Sequence, residues 1–157
     1  MRIALQEILQ DPGFVKGTAW WQRDFCAHEN IIQEGEEGRF LYLIESGVLR
    51  VTDLVELEDK RRVQPGICDL GEGDIFGELS LFVTHPRSAS VVSITEGRLV
   101  EIDAEKLSRH LDNHPEVGYN FLKELFDTLI QRLDRANHRV ENLLAWGIKA
   151  HGIDKHL

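Results

Sequence analysis

The chain is predicted to be mainly β with flanking helices, a small barrel or sandwich of short strands followed by one long helix. Three observations carry this. Between Ile31 and Ile102, short runs of β-branched and aromatic residues alternate with Gly35, Gly38, Gly47, Gly66, Gly71, Gly73 and Gly97, the texture of a strand meander. After Asp103 the apolar spacing changes to a helical period. At 157 residues and 42% hydrophobic content, the chain has the length and apolar share for one compact domain with its own core.

The elements follow in order. Residues 3 to 9, IALQEIL, have the spacing of a short amphipathic helix, stopped by Asp11-Pro12-Gly13. Trp20, Trp21 and Phe25 read as a buried plug between that helix and the barrel rather than a stacking platform for bases. Strands are expected at Phe40 to Glu45, Val48 to Asp53, Arg62 to Leu70, Ala89 to Ile94 and Arg98 to Ile102, with turns at Ser46-Gly47 and Glu96-Gly97. The barrel is placed at about 25 to 103. A short helical segment, Ala104 to Leu111, comes next, Asn113 is positioned to cap, and Pro115 suits a first helical turn. The long helix carries Leu122, Phe126, Leu129, Leu133, Ala136, Val140 and Leu143 at alternating steps of four and three, a 3.5-residue period that suits pairing with a second helix. Phe121, Leu125 and Ile130 form a second apolar flank able to hold the helix on its own barrel, so the seam predicts a parallel homodimer. The helical part is expected to end near Gly147.

Charge and cysteine content narrow the function. Lys plus Arg total 18 against 27 Asp plus Glu, a net charge of −9, which opposes binding to phosphate backbones and acidic lipid surfaces. Cys26 and Cys68 have no paired metal-ligand spacing, and no signal-like or membrane-length apolar run occurs; a reducing, cytoplasmic setting fits best. Among seven histidines only His110 and His114 have helical i, i+4 spacing. His114 precedes Pro115, which disfavours helical geometry there, so the two rings are not expected to share a face. His28 and His85 lie too far apart in sequence for a metal-binding barrel, and no histidine-centred catalytic triad can be assembled. The expectation is a protein without metal and without enzymatic activity.

The chemistry lies between Leu70 and Val92, LGEGDIFGELSLFVTHPRSASVV. Gly77 can take backbone angles closed to other residues, and a turn starting at Glu78-Leu79-Ser80 directs main-chain N–H groups at an anion. Arg87, held by Pro86, adds a permanently charged planar fork suited to phosphate oxygens. A carboxylate beside that cradle repels phosphate, so Glu78 either accepts from sugar hydroxyls or balances Arg87 as a structural ion pair.

Phe76-Gly77-Glu78-Leu79-Ser80-Leu81 followed by Pro86-Arg87-Ser88-Ala89-Ser90 closely resembles the phosphate-binding cassette of cyclic-nucleotide-binding domains. Ile44-Glu45-Ser46-Gly47-Val48 resembles the family's early strand-turn-strand, and the likeness covers roughly residues 30 to 147. It implies a double-stranded β-helix (jelly-roll) barrel followed by a dimerisation helix. It also implies that Glu78 meets the ribose 2′-hydroxyl, that Arg87 meets the cyclic phosphate, and that Gly77, Leu79, Ser80, Ser88 and Ala89 complete the cradle. In the transcription-regulator branch, adenine is contacted from the long helix, in part by the partner subunit. Arg132 and Asn137 stand at the g and e positions for that role, whereas Ala136 replaces a residue that often carries a hydroxyl. In the kinase branch a threonine after the arginine accompanies guanine and an alanine adenine. Ser88 resembles the adenine-binding regulators, which points to cAMP as ligand with cGMP as the alternative. Ile148 to Leu157 leaves no room for a helix-turn-helix, so the expected protein is a single sensor domain acting through an unidentified effector. The alternatives are a nucleotide-free dimerising module, or the sensor part of a transcription regulator whose DNA-binding domain is absent.

Overall fold

The structure is a computed structural model and describes residues 2–53, 55–56, 62–63, 66–82 and 85–150. Helix α1, Arg2–Gln10, leads into strands β1 (Trp20–Phe25), β2 (Asn30–Ile32), β3 (Phe40–Ser46), β4 (Leu49–Thr52), β5 (Val55–Glu56), β6 (Arg62–Val63), β7 (Gly66–Leu70) and β8 (Ile75–Phe76). A 3-10 turn at Glu78–Leu81 separates these from β9 (Ser90–Ser93) and β10 (Gly97–Asp103), and helices α2 (Ala104–Asn113) and α3 (Pro115–Ala150) follow.

The strands form two four-stranded antiparallel sheets, ordered β1-β10-β3-β8 and β2-β9-β4-β7, with β5-β6 as a separate two-stranded ribbon. The expectation of a barrel is corrected here: the described strands do not close into one cylinder. Strand β3 shows why the first sheet is central. Its side chains alternate, so Leu41 and Leu43 join the helix-side core with Leu5, Ile8, Leu107, Phe121 and Leu125. Tyr42 and Ile44 face the other way and pack with Phe25, Leu49, Leu70, Phe76, Val91 and Leu99. A strand buried on both faces reads as a near-continuous apolar run, which is what Phe40-Leu41-Tyr42-Leu43-Ile44 is.

Four expectations shift. Trp20, Trp21 and Phe25 lie on β1, paired with β10 from Trp20↔Ile102 to Phe25↔Gly97. Only Phe25 is buried. Trp20 is half-buried with its Nε1–H donating to the Phe14 carbonyl at 3.0 Å, and Trp21 meets Phe40 edge-on. The expected strand from Arg62 to Leu70 is two strands, β6 and β7, with residues 64 and 65 between them outside the described set. Asn113 is the last residue of α2 rather than a cap, because His114 takes the C-cap with its N–H on the His110 carbonyl. Asp103 caps the start of α2 by accepting from the Lys106 N–H at 3.0 Å. Helix α3 runs through Gly147 to Ala150, and its 36 residues span about 54 Å at 1.5 Å per residue.

The three-and-four periodicity of α3 separates its faces clearly. Phe121 and Leu125 are buried, as the second flank requires, but Ile130 is exposed. Of the seam, Leu122, Phe126, Leu133, Val140 and Leu143 are exposed, and Leu129 is partly buried against the core. No described helix is long and apolar enough to cross a membrane.

Candidate functional site

Strand β8 ends at Phe76, and the chain reverses at Gly77, whose φ of 73° lies in the left-handed region that glycine enters without steric cost. The 3-10 turn begins immediately, with the Ser80 N–H on the Gly77 carbonyl at 3.2 Å. The first amides of such a turn have no carbonyl one turn earlier to bond, so they are available to an anion.

Arg87 lies opposite. Its main chain is clamped to the segment before β3, with its N–H on the Glu36 carbonyl at 2.8 Å and its carbonyl accepting from the Gly35 N–H at 2.9 Å. The guanidinium points inward. Nη1 donates to the Ser80 hydroxyl at 2.9 Å and to the Gly77 carbonyl at 3.3 Å, and Nη2 donates to the Phe40 carbonyl at 2.6 Å. The Tyr42 ring lies 5.8 Å from its central carbon and is itself stacked on Phe76. A guanidinium has five donors, so it can hold this seat and still take a phosphate oxygen.

Glu78 is 8% exposed. Its Oε1 accepts from Arg132 Nη1 at 3.2 Å, and Arg132 Nη2 also donates to the Ile75 carbonyl. The carboxylate is therefore partnered by α3 and not by Arg87. A buried carboxylate needs such compensation, and here it comes from the long helix.

These groups line one cavity of about 250 Å³. Gly77, Glu78, Leu79, Ser80, Arg87, Ser88, Ala89 and Arg132 all border it, while Ile32, Val51, Leu70, Phe76 and Val91 supply an apolar floor. Polar groups at one end of an apolar hollow suit a ligand with a charged and a flat, hydrophobic part. Asn137 does not border this cavity. Ser90 is buried and its hydroxyl accepts from the Glu34 N–H at 2.9 Å, a structural use. A second cavity of about 460 Å³ lies between β7 and α3 and shares Cys68, Leu70 and Arg132 with the first. Residues 83 and 84 of the cassette lie outside the described set.

Two partners of Arg87 escape a reading of the sequence. The Phe40 carbonyl and the Tyr42 ring come from β3, and no spacing signal relates them to position 87. His114 leaves helical geometry ahead of Pro115, as expected, yet its ring still lies 4.3 Å from that of His110, because its Nδ1 turns back to the His110 carbonyl. Among the described residues, no group of three or more His, Cys, Asp or Glu is arranged to hold a metal.

A small domain of two antiparallel sheets carries an inward arginine facing a glycine-started turn, and comparison with known proteins specifies its class. Residues 22–114 match the family model of the cyclic nucleotide-binding domain. The chain belongs to that family. It is 33% identical over 125 residues to a CRP-like cAMP-activated global transcriptional regulator of Mycobacterium tuberculosis, covering 77% of this chain and 50% of the relative. A cyclic nucleotide-binding domain from Methylobacillus flagellatus superposes with a TM-score of 0.68 at 26% identity, over 78% of this chain and 66% of that one. The catabolite activator protein of Thermus thermophilus gives 0.66 at 25% identity, over 90% and 59%. The chain spans about half the length of the bacterial regulators it matches.

Proposed function

We propose that the cavity between the 3-10 turn and α3 binds cAMP, and that binding changes how α3 sits on the sheets. The observation that carries this is the convergence on one cavity of an inward Arg87, the Gly77–Ser80 turn and a buried Glu78. The cyclic phosphate lies against Arg87, Ser80 and the turn amides, with Leu79, Ser88 and Ala89 closing the cradle. The ribose 2′-hydroxyl donates to Glu78. The description of the mycobacterial relative as cAMP-activated supports adenine over guanine, with cGMP as the alternative ligand.

The conformational step follows from one pairing. Arg132 holds Glu78 across the gap between turn and helix, so a ribose hydroxyl arriving on that carboxylate competes with the arginine. A ligand shifts an equilibrium by its differential affinity for the two states, and here the two states differ in whether Arg132 or the ligand holds Glu78. The exposed seam of α3 pairs with a second copy in parallel. In that geometry a g residue of one helix approaches the e residue five positions on in the other, which brings Asn137 of a second copy beside Arg132 at the rim of the cavity. The domain carries no reaction of its own and acts through an effector protein or a further domain.

Calorimetric titration with cAMP and cGMP tests the reading directly. Arg87→Ala removes the charged partner of the phosphate, and truncating one member of a desolvated charge pair costs about 3–5 kcal/mol, so affinity falls by roughly a hundredfold or more. Flat titrations with both nucleotides in the unaltered protein would leave a dimerising module of the same fold. Unchanged affinity in Arg87→Ala would remove the arginine from the phosphate site.

A further inference from the structure

We infer that Gly38 is a positioning residue for the phosphate site, its missing side chain forming the space in which the Arg87 guanidinium and the Ser80 hydroxyl are seated together. This rests on the reading of Arg87 as the phosphate-binding group and names a determinant of its placement. A Cβ at position 38 would lie 2.7 Å from Arg87 Cζ, 2.8 Å from Arg87 Nε and 2.7 Å from Ser80 Oγ. Carbon makes no such contacts, so both groups would have to move. They are the same two groups that Nη1 links at 2.9 Å, and both border the cavity.

The position is unusual among the glycines around the site. Gly77 has a left-handed φ, and a Cβ there would meet the Phe40 carbonyl at 3.0 Å as well as Arg87 Nη1 at 2.8 Å. A substitution at Gly77 therefore strains the backbone and damages the turn itself. Gly38 is not among the positive-φ residues, and the three atoms nearest to its Cβ all belong to side chains. The fold can absorb that change by rotating those side chains. Binding cannot, because displacing a bidentate donor by about 1 Å loses most of its fit to a fixed anion. The Tyr42 ring lies 5.8 Å from the central carbon of the guanidinium, and the Phe40 and Gly77 carbonyls hold its tips. The arginine has little room to move in without leaving these bonds.

The test compares Gly38→Ala with Gly71→Ala, a glycine whose Cβ would meet nothing within 4 Å. Gly71→Ala is expected to melt with the unaltered protein, and Gly38→Ala to stay folded but melt somewhat lower, since the displaced guanidinium gives up its bonds to the Phe40 and Gly77 carbonyls. Gly38→Ala is expected to bind cAMP about tenfold or more weakly while its affinity for adenosine, which has no phosphate and is followed by NMR titration, stays unchanged. Equal cAMP affinity in Gly38→Ala and Gly71→Ala overturns the inference, and so does a parallel loss for cAMP and adenosine. If the unaltered protein binds neither cyclic nucleotide, the function proposed above fails. Ligand-free crystal structures then decide the placement alone. A guanidinium still on the Phe40 and Gly77 carbonyls in Gly38→Ala overturns it, and a displaced one upholds it.

Discussion

At the scale of single residues, Glu78 and Arg132 hold the most information, because each has a use in the ligand-free chain and another in the proposed complex. The carboxylate is nearly buried and bonded to Arg132 at 3.2 Å, with side-chain exposures of 10% and 27%. A ribose 2′-hydroxyl that replaces the guanidinium gains a hydrogen bond to a charged acceptor, worth about 1.5–3 kcal/mol. The unaltered protein should therefore bind 2′-deoxy-cAMP roughly 10- to 150-fold more weakly than cAMP. In Glu78→Gln the acceptor is neutral and the same comparison should shrink to a few-fold. Calorimetry with the two ligands on the two proteins checks it, and an undiminished ratio in Glu78→Gln would place the hydroxyl elsewhere. The cassette residues were legible in the sequence because Gly77, Glu78, Ser80 and Arg87 are near neighbours along the chain, and each has a chemistry that suits an anion. The pairing of Glu78 with Arg132 spans 54 residues and that of Arg87 with the Phe40 carbonyl spans 47. Local spacing carries no trace of such contacts. The main-chain carbonyl of Phe40 carries no side-chain signature at all.

At the scale of elements, α3 was readable and β1 was not, for opposite reasons. A 3.5-residue apolar period held over about three heptads is a long-range signal, and the structure divides it in part: the flank residues Phe121 and Leu125 are buried and Ile130 is exposed, while the seam residue Leu129 packs partly on the core. The g positions Leu125, Arg132 and Arg139 meet the strand domain through burial, the Glu78 carboxylate and the Ile67 carbonyl respectively. The a and d positions Leu122, Phe126, Leu133, Val140 and Leu143 are left in water. Strand β1, WWQRDF, has only Phe25 fully buried, so it lacks a clean alternation and its ladder with β10 supplies what its pattern does not. The two-residue β8 is too short for any periodicity. In the proposed pairing this stripe is the interface, and burying one Leu or Phe side chain there would yield about 1.5–3 kcal/mol. Leu133 is 60% exposed, so Leu133→Asp costs the isolated chain little yet places a carboxylate opposite itself in the middle of a parallel pair. Sedimentation should show a dimer for the unaltered protein and a monomer for Leu133→Asp with an unchanged circular dichroism spectrum. A dimer mass that survives the substitution would move the interface off the seam.

At the scale of the whole molecule, the helices meet at a buried imidazole, that of His110. His110, near the end of α2, is 7% exposed and packs against Phe14 and His114. Among the described residues its Nε2 has no hydrogen-bond partner, although the Asp11 carboxylate, just past α1, stands 3.8 Å away. Burial and the neighbouring His114 hold the His110 imidazole below its ordinary value of 6.5, against the opposing pull of Asp11. The folded chain therefore resists a proton that the unfolded chain accepts once the pH falls below about 6.5. Above that value both states are neutral at this residue and its contribution is complete; below it, stability declines until the folded value is passed. The three helices share one core, with Ala4, Leu5 and Ile8 of α1, Leu107 of α2, and Phe121 and Leu125 of α3 in the same cluster. Loosening the His110 contact thus weakens the support of the face on which α3 rests. The melting temperature should fall between pH 7.5 and 5.5, and the fall should be smaller in His110→Gln, whose side chain is neutral at both. The remaining histidines and carboxylates are common to the two proteins, so the difference between the slopes isolates His110. Parallel slopes would mean that this imidazole titrates alike in the folded and unfolded chains, and the junction of α1, α2 and α3 would then be indifferent to acid.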